Sequence, residues 1–598
     1  MKYVVATAGH VDHGKSTLVR ALTGIEPDRW DEERRRGLTL DLGFAWTTLP
    51  SGADVAFVDV PGHERFIPNM LAGLGPAPVV LFVVAADEGW SAQSDDHRDA
   101  VAALGIDAGL LVVTRADRAS TRRIHEVIDE ARRRLSGTGL ADAPAVVVSA
   151  PHLIGIDELR ATLDDVLAQS PSPPISGRVR FWIDRVFTRT GAGTVVTGTL
   201  ASGTITVGDT LDLLTSDGLC RVDVRGLQSE GTALAAAGPI SRVAVNLRGV
   251  GVDDVSRGYA LVTPGAWHSS AVADVRRVSG TRFDEAPEHL VAHIGTAALP
   301  ARLRPLDGDH ARLTLARPVP MSRGDRVVLR DPGRRIVGGG VVMHPDPPAL
   351  TRRGDAARRA ATLAAMPDDA GAADEVARLG AIRVVDLARL GLVDEAETAA
   401  PVGVRVIGEW WVAESALTVW AERLRAALLD LHGRDPLSAG LSAAGAPALV
   451  GLPDATLLAA VVDRAGLTSS DGHLAIPGHR PSLGDAEDAV RALERRLADD
   501  PFRAPEADDL AALGLGAREL AAAEHTGRIL RLRDGVVLLP TAPALAMRTL
   551  ASLQQPFTTS AARQALRTTR RVAIPLLEHL DSRSWTRRID AGHREVAR

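Results

Sequence analysis

The amino-acid sequence predicts a multidomain fold: an α/β domain with a parallel sheet, then two β-barrels, then a C-terminal, mostly α-helical array of tandem winged helices. Three observations predict it. Apolar runs alternate with helical stretches at the start of the chain, and short alternating strands with glycine turns follow them. Near the end, helices followed by a short hairpin recur four times, and a length of 598 residues has room for all these domains.

The predicted domain bounds follow from these changes of pattern. They are 1–174 for the α/β domain, 175–262 and 263–347 for the two barrels, and 348–425, 426–478, 479–541 and 542–598 for the four winged helices.

Composition narrows the class of protein. The net charge of −6 gives no overall attraction to nucleic acid, so any such contact must be local. Cys220 is the only cysteine, which excludes an internal disulfide and a cysteine-based zinc site and fits the cytoplasm. The apolar start, 1–8, is predicted as a buried strand and not a signal peptide. Uncharged apolar stretches stay short of the ~18–20 residues of a membrane span. We expect a cytoplasmic monomer with no membrane partner.

The α/β domain is predicted from five apolar runs separated by helices such as Ser16–Leu22 and Ile124–Leu135. The runs are Tyr3–Ala8, Val55–Val60, Val79–Ala86, Leu110–Thr114 and Ala145–Ser149. In parallel sheets of this kind, ligands lie at the carboxyl ends of the strands. The polar motifs of this domain fall at those ends.

The first motif contains lysine, a residue type that this sequence uses only twice. Among 69 basic residues only Lys2 and Lys15 are lysines, and Lys15 lies in a complete G-x-x-x-x-G-K-S phosphate loop, 9–16. A compact ammonium fits under a loop of main-chain N–H groups that wraps phosphates, whereas a planar guanidinium does not. We therefore expect Lys15 to contact the β- and γ-phosphates and Ser16 to bind Mg²⁺. The predicted phosphate-binding residues are Asp12, His13, Gly14, Lys15, Ser16 and Thr17.

Two further segments complete the phosphate end of the site. Asp59-Val60-Pro61-Gly62 ends a strand, so Asp59 is predicted to hold Mg²⁺ through water and the Gly62 N–H to contact the γ-phosphate. His63 follows and is predicted to orient the attacking water. In the polar segment 36–41, Thr39 is predicted to reach Mg²⁺ and so to order the loop; a solvated surface loop is the alternative.

The base end is predicted from Thr114-Arg115-Ala116-Asp117. Asp117 can pair with the guanine ring N–H and amine, and the Arg115 stem can lie along the base. Ser149 and Ala150 follow the fifth strand, where a main-chain N–H would meet the guanine oxygen. This arrangement favours GTP over ATP.

These motifs together carry a resemblance. GHVDHGKST, RGLT, DVPGHERF, TRAD and SA resemble those of translational GTPases of the elongation factor Tu superfamily. DVPGHERFIPNMLAG (59–73) and TLDLGFAW (39–46) resemble the bacterial selenocysteine-specific elongation factors, which tolerate Thr at the base motif. Arg115 departs from the pattern.

The barrels follow the stiff linker 170–174. Strands of the first are predicted over Val179–Phe187, Gly193–Leu200, Thr210–Leu214, Cys220–Leu227 and Arg242–Leu247, and the second barrel is predicted over 272–343.

FTRTGAGTVVTGTL (187–200) and Arg257-Gly258 resemble the second domain of translation factors. The resemblance implies a pocket for the aminoacyl group of a charged tRNA, with Arg185, Arg242 and Asp41 in it. A selenolate cargo would need such cations. Three ordinary surface charges are the alternative.

The last unit is basic, with nine Arg against four acids over 551–598. Arg570 and Arg571 are predicted to start the second helix of a helix-turn-helix, and Arg587 and Arg588 the wing, which together form a nucleic-acid surface. A solvated protein-contact face is the alternative. Residues 556–589 resemble the final winged helix of the selenocysteine factors, which implies binding to a messenger hairpin (SECIS) beside an in-frame UGA codon.

The resulting hypothesis is a GTPase, with Mg²⁺ as cofactor, that carries selenocysteinyl-tRNA to ribosomes halted at UGA. The ribosome would position His63 and stimulate hydrolysis. Two alternatives remain: a general or initiator-tRNA translational GTPase with a protein-docking tail, and a GTP-sensing winged-helix DNA-binding regulator.

Overall fold

The computed structural model describes residues 2–27, 39, 41–170, 177–189, 193–333, 335–367, 371–393, 399–435, 438–470, 472–478 and 483–597. Residues 36–38 and 40 of the polar segment 36–41, and the prolines of the linker 170–174, lie outside these residues. The chain forms two compact units: Met1–Glu375 with Ile382–Pro401, and Val376–Ala381 with Val402–Arg598.

The first unit begins with the predicted α/β domain. Its strands are β1 (Lys2–Ala8), β2 (Gly43–Thr48), β3 (Asp54–Asp59), β4 (Val79–Ala85), β5 (Ala108–Thr114) and β6 (Ala145–Val147). Its helices are α1 (Lys15–Thr23), α2 (Ile67–Leu74), α3 (Ala92–Leu104), α4 (Thr121–Leu135) and α5 (Ile156–Gln169). The sheet order is β2-β3-β1-β4-β5-β6. Five strands are parallel, as predicted, and the additional strand β2 pairs antiparallel to β3.

Both faces of this sheet are buried. Along β1, Val4 and Ala6 pack into the core on one face, while Tyr3 and Val5 pack into the core on the other. Because a parallel strand is buried on both sides, its sequence is a continuous apolar run, and such runs predicted the parallel strands of this sheet. The polar loops are left at the carboxyl edge, where β1, β3, β4 and β5 end.

Two closed barrels follow in the same unit, as predicted. The first contains β7 (Arg180–Arg189), β8 (Gly193–Leu200), β9 (Ile205–Thr206), β10 (Thr210–Leu214), β11 (Leu219–Ser229), β12 (Thr232–Leu234), β13 (Ala236–Ala237), β14 (Ser241–Arg248) and β15 (Ala260–Val262). Pairing of β10 with β11 closes its sheet. The second contains β16 (Ser269–Gly280), β17 (His289–Ile294), β18 (Ala297–Pro305), β19 (His310–Pro320), β20 (Arg326–Arg330) and β21 (Ile336–His344), in the closed order β16-β19-β18-β17-β20-β21.

Short helices and strands make up the remainder. Those up to residue 413 are α6 (Asp355–Ala364), α7 (Ala372–Leu379), β22 (Ala381–Arg383), α8 (Val384–Leu390), β23 (Val404–Ile407) and β24 (Trp410–Ala413). Then come α9 (Glu414–Arg434), β25 (Leu441–Ser442), α10 (Ala446–Val450), α11 (Leu458–Arg464), β26 (Thr468–Ser470), β27 (His473–Ala475), α12 (Glu487–Asp499), α13 (Ala507–Ala512) and α14 (Ala517–His525). The last are β28 (Leu530–Arg531), β29 (Val537–Leu538), α15 (Ala542–Ala551), β30 (Phe557–Thr558), α16 (Thr559–Ala565), α17 (Arg570–Ser582), β31 (Thr586–Arg588) and β32 (His593–Val596).

The four predicted hairpins are present as antiparallel pairs: β23 with β24, β26 with β27, β28 with β29, and β31 with β32. The exact bounds of the individual winged helices remain predictions. Among the described helices, none combines the length and apolar character that crossing a membrane requires.

Candidate functional site

The phosphate loop closes around its lysine. The buried Lys15 Nζ donates to the carbonyl oxygens of Gly9 at 2.9 Å and His10 at 2.8 Å. Gly9 has a φ of 129°, and a Cβ there would lie 2.2 Å from the Val83 carbonyl oxygen, so only glycine allows the loop to leave β1 beside β4. The loop then turns at Gly14 (φ 80°) into α1. The ammonium and the free N–H groups of α1 therefore lie together, as an anion site requires.

The three predicted metal ligands lie together. The Ser16 hydroxyl donates to Asp59 Oδ2 at 2.6 Å and lies 3.0 Å from the Thr39 hydroxyl. Thr7, which sequence reasoning missed, donates to the other Asp59 oxygen at 2.7 Å. Burial raises the pKa of the Asp59 carboxyl, and Lys15 opposes that rise. A fully buried carboxylate with two hydroxyl oxygens beside it suits a hard cation that prefers oxygen, so the donor set fits Mg²⁺.

The segment after β3 packs directly on the phosphate loop. A Cβ added to Gly62 would lie 2.4 Å from the Val11 nitrogen and 2.5 Å from Lys15 Nζ, so this position has room only for glycine. His63 follows, half-buried, and its Nδ1 accepts a hydrogen bond from the Arg65 N–H at 3.2 Å. This contact caps the 3-10 turn Glu64–Phe66, which continues into α2.

At the predicted base end, Asp117 Oδ1 accepts a hydrogen bond from the Ser149 hydroxyl at 2.5 Å, which lowers the pKa of the Asp117 carboxyl. Ala150 is buried beside them. The Thr114 hydroxyl is turned away from this end and donates to the His13 carbonyl at 2.7 Å. The two predicted ends of the site are thus joined through the main chain of the phosphate loop.

Arg115 makes contacts that the sequence did not indicate. Its guanidinium donates to Glu88 at 2.5 Å, to Asp87 at 3.3 Å and to the carbonyl oxygen of Asp12. Burial lowers the pKa of Arg115, but the hydrogen bond to Glu88 and the two carboxylate charges together raise it. The side chain therefore ties the base loop to the phosphate loop. Asp87 and Glu88 directly follow the apolar run of β4, which is the one signal that could have indicated them.

Two buried histidines also surround the phosphate loop. Burial lowers the pKa of His13 to about 3, and its Nδ1 lies 3.2 Å from the Val83 carbonyl oxygen. His97 on α3 is buried, its pKa is well below the usual value because of that burial, and it bonds to the main chain of Gly62. Both imidazoles are therefore neutral at physiological pH.

The residues of the predicted aminoacyl pocket also come together. Arg185 Nη2 donates to Asp41 Oδ2 at 2.8 Å, and Arg242 donates to both oxygens of Asp184, at 2.5 and 2.9 Å. Both guanidinium groups lie over the ring of Phe44, at 5.4 Å and 3.4 Å from its centre. The two arginines and Phe44 line a cavity of about 280 Å³ between the α/β domain and the first barrel. Sequence reasoning missed Asp184 and Phe44.

The four arginines predicted to bind RNA lie on two elements of the last module. Arg570 and Arg571 start α17, and Arg587 and Arg588 lie on β31, as predicted. The side chain of Arg570 is exposed and makes no hydrogen bond or ion pair to another described residue. Arg587 is exposed but pairs with Glu595, and the exposed Arg588 donates to the carbonyl oxygens of residues 590 and 591.

Arg571 requires a correction. The sequence placed it on the nucleic-acid edge, but it is half-buried and donates to the carbonyl oxygens of Ala504 at 3.2 Å and Pro505 at 3.0 Å. It also forms an ion pair with Glu506 at 3.1 Å. Because its donors are directed at residues 504–506, Arg571 joins two segments of the C-terminal unit and is committed to contacts within the protein.

Comparison with known proteins agrees with this fold. Residues 2–169 match the family model described as elongation factor Tu GTP binding domain. Residues 285–349 match that of the selenocysteine-specific elongation factor β-barrel domain, and residues 548–594 that of the elongation factor SelB winged helix. A crystal structure of a bacterial selenocysteine-specific elongation factor EF-Sec superposes with a TM-score of 0.74 at 24% identity, covering all of both chains, which shows a shared fold.

Elongation factor Tu 2 of Streptomyces avermitilis is 30% identical over 376 residues, which cover 95% of that protein and 56% of this chain. The chain therefore belongs to the translational GTPase class of elongation factor Tu. The selenocysteine-specific elongation factor of Desulfomicrobium baculatum is 37% identical over 355 residues, which cover 57% of this chain and 56% of that protein. Within that class, two segments of the chain, 285–349 and 548–594, match models named for the selenocysteine-specific elongation factors. The matched part spans 56–62% of the length of the curated relatives of that name.

Proposed function

We propose that the protein is a GTP-dependent elongation factor that delivers selenocysteinyl-tRNA to the ribosome at UGA codons, in the cytoplasm. The observation that carries the proposal is a link between two sites. Thr39 lies 3.0 Å from Ser16 in the metal site, and Asp41, two residues later, accepts a hydrogen bond from Arg185 in the pocket. One short segment thus connects the nucleotide phosphates to the cargo.

In this proposal GTP lies along the carboxyl edge of the sheet. The Lys15 ammonium exchanges its two carbonyl partners for phosphate oxygens, and the main-chain N–H groups of residues 12–17 bind the phosphates. Asp117, kept ionised by the hydrogen bond from Ser149, pairs with the guanine N–H groups. A base without those donors would leave the Asp117 carboxylate unpaired, which gives the preference for guanine.

The cofactor is proposed to be Mg²⁺ held by Ser16 and Thr39 directly and by Asp59 through water. When bound, the ion would neutralise charge on the β- and γ-phosphates. The hydrogen bonds from Thr7 and Ser16 to the buried Asp59 carboxylate support this assignment, because they fix both of its oxygens.

Hydrolysis is proposed to depend on His63. A water molecule attacks the γ-phosphorus, the bond to the β-phosphate oxygen breaks, and GDP and inorganic phosphate leave. His63 would orient this water once the ribosome fixes its side chain, while the Gly62 N–H contacts the γ-phosphate. The position of His63, half-buried at the start of a short turn and directly after Gly62, supports this role.

The cargo is proposed to occupy the cavity between the α/β domain and the first barrel. A selenol is more acidic than a thiol, so selenocysteine arrives as an anion. Arg185 and Arg242 already have carboxylate partners, and both lie on the Phe44 ring. We infer that the anion competes with Asp41 and Asp184 for these guanidinium groups, which makes recognition depend on charge.

The C-terminal module, 542–598, is proposed to hold a messenger hairpin through Arg570, Arg587 and Arg588. The exposed position of all three supports this. The proposal keeps the predicted domain bounds, with 1–174 as the GTPase domain and 175–262 as the barrel that receives the cargo.

The proposal is tested by filter binding of selenocysteinyl-, cysteinyl- and seryl-tRNA in the presence of GTP. We expect selenocysteinyl-tRNA to bind at least ~10-fold more tightly than the other two, because a charge-assisted hydrogen bond contributes about 1.5–3 kcal/mol. Arg242→Met should remove most of that preference. Arg221→Met is the matched control, since Arg221 pairs with Asp212 on the same barrel but outside the cavity. Equal binding of the three tRNAs would contradict the proposal.

A further inference from the structure

An arginine of the first barrel reaches into the α/β domain. Arg257 Nη1 donates to Asn69 Oδ1 at 2.7 Å, and Arg257 Nη2 donates to the Pro68 carbonyl oxygen at 3.2 Å. Both acceptors lie in the first turn of α2. The two contacts use the fork of one guanidinium, so they specify the direction of the helix as well as its distance from the barrel.

These contacts hold a charge between two domains. Burial lowers the pKa of Arg257, and the carboxylates of Asp41 and Asp184 oppose that effect from the nearby cargo pocket. The two hydrogen-bond acceptors on α2 are uncharged. A half-buried cation with neutral acceptors adds little stability, so the main effect of Arg257 is on the position of α2.

The turn that carries Arg257 is itself fixed. Gly258 has a φ of 86°, and a Cβ there would lie 2.9 Å from Ala297 Cα of the second barrel. The Gly258 N–H donates to the Ile183 carbonyl oxygen at 2.9 Å, and its own carbonyl oxygen accepts a hydrogen bond from Arg317 at 2.7 Å. Because both barrels hold the turn, the guanidinium of Arg257 has a defined position from which to hold α2.

The other end of this connection is His63. The turn Glu64–Phe66 joins His63 to α2 without a break, and the Phe66 N–H donates to the His63 carbonyl oxygen at 2.9 Å. The far end of α2 is also confined, since a Cβ at Gly75 would lie 3.2 Å from the Gly295 carbonyl oxygen of the second barrel. Moving the first turn of α2 therefore moves His63.

We propose that Arg257 is a positioning residue for GTP hydrolysis, which holds the first turn of α2 on the first barrel and so sets the place of His63 beside the phosphate site. The inference rests on the proposed function. It makes the barrel that receives the cargo a support of the hydrolytic site, acting through α2 and His63.

The test compares Arg257→Met, Arg257→Lys and Asn69→Ala with Arg180→Met. Arg180 is a matched control, because it is a half-buried arginine of the first barrel that reaches the second, donating to the Pro320 carbonyl oxygen and to Asp325, while its side-chain hydrogen bonds go neither to α2 nor to the turn 257–258. Three quantities are measured on the full chain: the affinity for GTP, the ribosome-stimulated turnover, and hydrogen exchange of the amides of residues 67–74.

We expect Arg257→Met to lower stimulated turnover by ~10–100-fold, since a displacement of about 1 Å in a reacting group can have an effect of this size. GTP affinity should stay within about twofold, exchange in α2 should become faster, and Arg257→Lys should restore part of the turnover. Asn69→Ala should add little to Arg257→Met, because the two residues share one contact. Arg180→Met should leave all three quantities near those of the wild type.

Unchanged turnover or unchanged α2 exchange in Arg257→Met would overturn the inference, as would equal losses in Arg180→Met. A wild-type protein without ribosomal stimulation would contradict the proposed function. In that case α2 exchange alone would decide the inference: faster exchange in Arg257→Met would support the contact, and unchanged exchange would overturn it.

Discussion

The α/β domain and the last winged helix use their polar side chains in different ways. In the α/β domain, Ser16, Thr39 and Asp59 are far apart in sequence but meet within 3.0 Å, and the carboxylate among them is fully buried. In the winged helix, Arg570, Arg587 and Arg588 stay on the surface. In the first arrangement the protein's own hydrogen bonds hold the side chains in place, whereas the second leaves its geometry to the partner. We therefore expect single changes to have large effects in the first region and small, salt-dependent effects in the second.

The largest effect is expected at His63. His63→Ala should lower ribosome-stimulated GTP turnover by at least ~10³-fold, within the range by which partners stimulate related GTPases. Affinities for GTP and tRNA should stay near wild type, because His63 contacts neither in the proposed site. Stopped-flow measurement of phosphate release with purified ribosomes checks this, with the exposed His125→Ala as control. Stimulated turnover that survives His63→Ala would remove the assigned role.

Acid is expected to have a moderate effect on the stability of the first compact unit. Burial lowers the pKa of His293 in the second barrel to about 3. The unfolded chain takes up a proton near pH 6.5 and the folded one only near pH 3, so stability falls as the pH falls between these values. At pH 5 this one group should lower the free energy of unfolding by about 2 kcal/mol.

Denaturant unfolding at pH 7 and pH 5 measures that loss. His293→Gln should reduce it, since glutamine does not titrate. Hydrogen exchange over 483–597 should change less, because His579 in that region is only half-buried. An equal acid loss in wild type and His293→Gln would show that other groups are responsible.

The smallest effects are expected in the last winged helix. Arg570→Ala should reduce the slope of log affinity against log salt for the messenger hairpin by about one, as expected for one lost phosphate contact. Arg571→Ala should leave that slope unchanged and lower stability by about 1 kcal/mol, because it loses its hydrogen bonds to residues 504 and 505. Binding titrations at several salt concentrations separate the two. A reduced slope in Arg571→Ala would restore its predicted RNA contact.

The contrast between buried, clustered side chains and exposed, separate ones also explains how much of the fold and the site the sequence could predict. Lys15, Ser16 and Asp59 were predictable because each follows a buried strand, and parallel strands bring their carboxyl ends to one edge. Thr7 was missed because a hydroxyl inside an apolar strand gives no motif. Asp184 was missed because the partner of a barrel arginine depends on register, and β7 carries an irregularity between Ile183 and Arg185.

Arg115 and Arg571 show a second limit. An arginine has five donors and can reach many acceptors, so its sequence position does not decide its partner. Arg115 donates to Glu88, to Asp87 and to a carbonyl oxygen of the phosphate loop, and Arg571 donates to main-chain carbonyl oxygens of residues 504 and 505. In both cases the acceptors are far away in sequence and come close only in the folded chain.

The central claim is that the nucleotide decides whether the cargo is held, through the segment that joins Thr39 to Asp41. The most direct measurement is the dissociation rate of selenocysteinyl-tRNA from the purified full chain with GTP, with GDP and without nucleotide. The account predicts slow release with GTP and release at least ~10-fold faster in the other two conditions, since allosteric coupling of about 1–3 kcal/mol corresponds to roughly 5–150-fold. Equal release rates in all three conditions would contradict it.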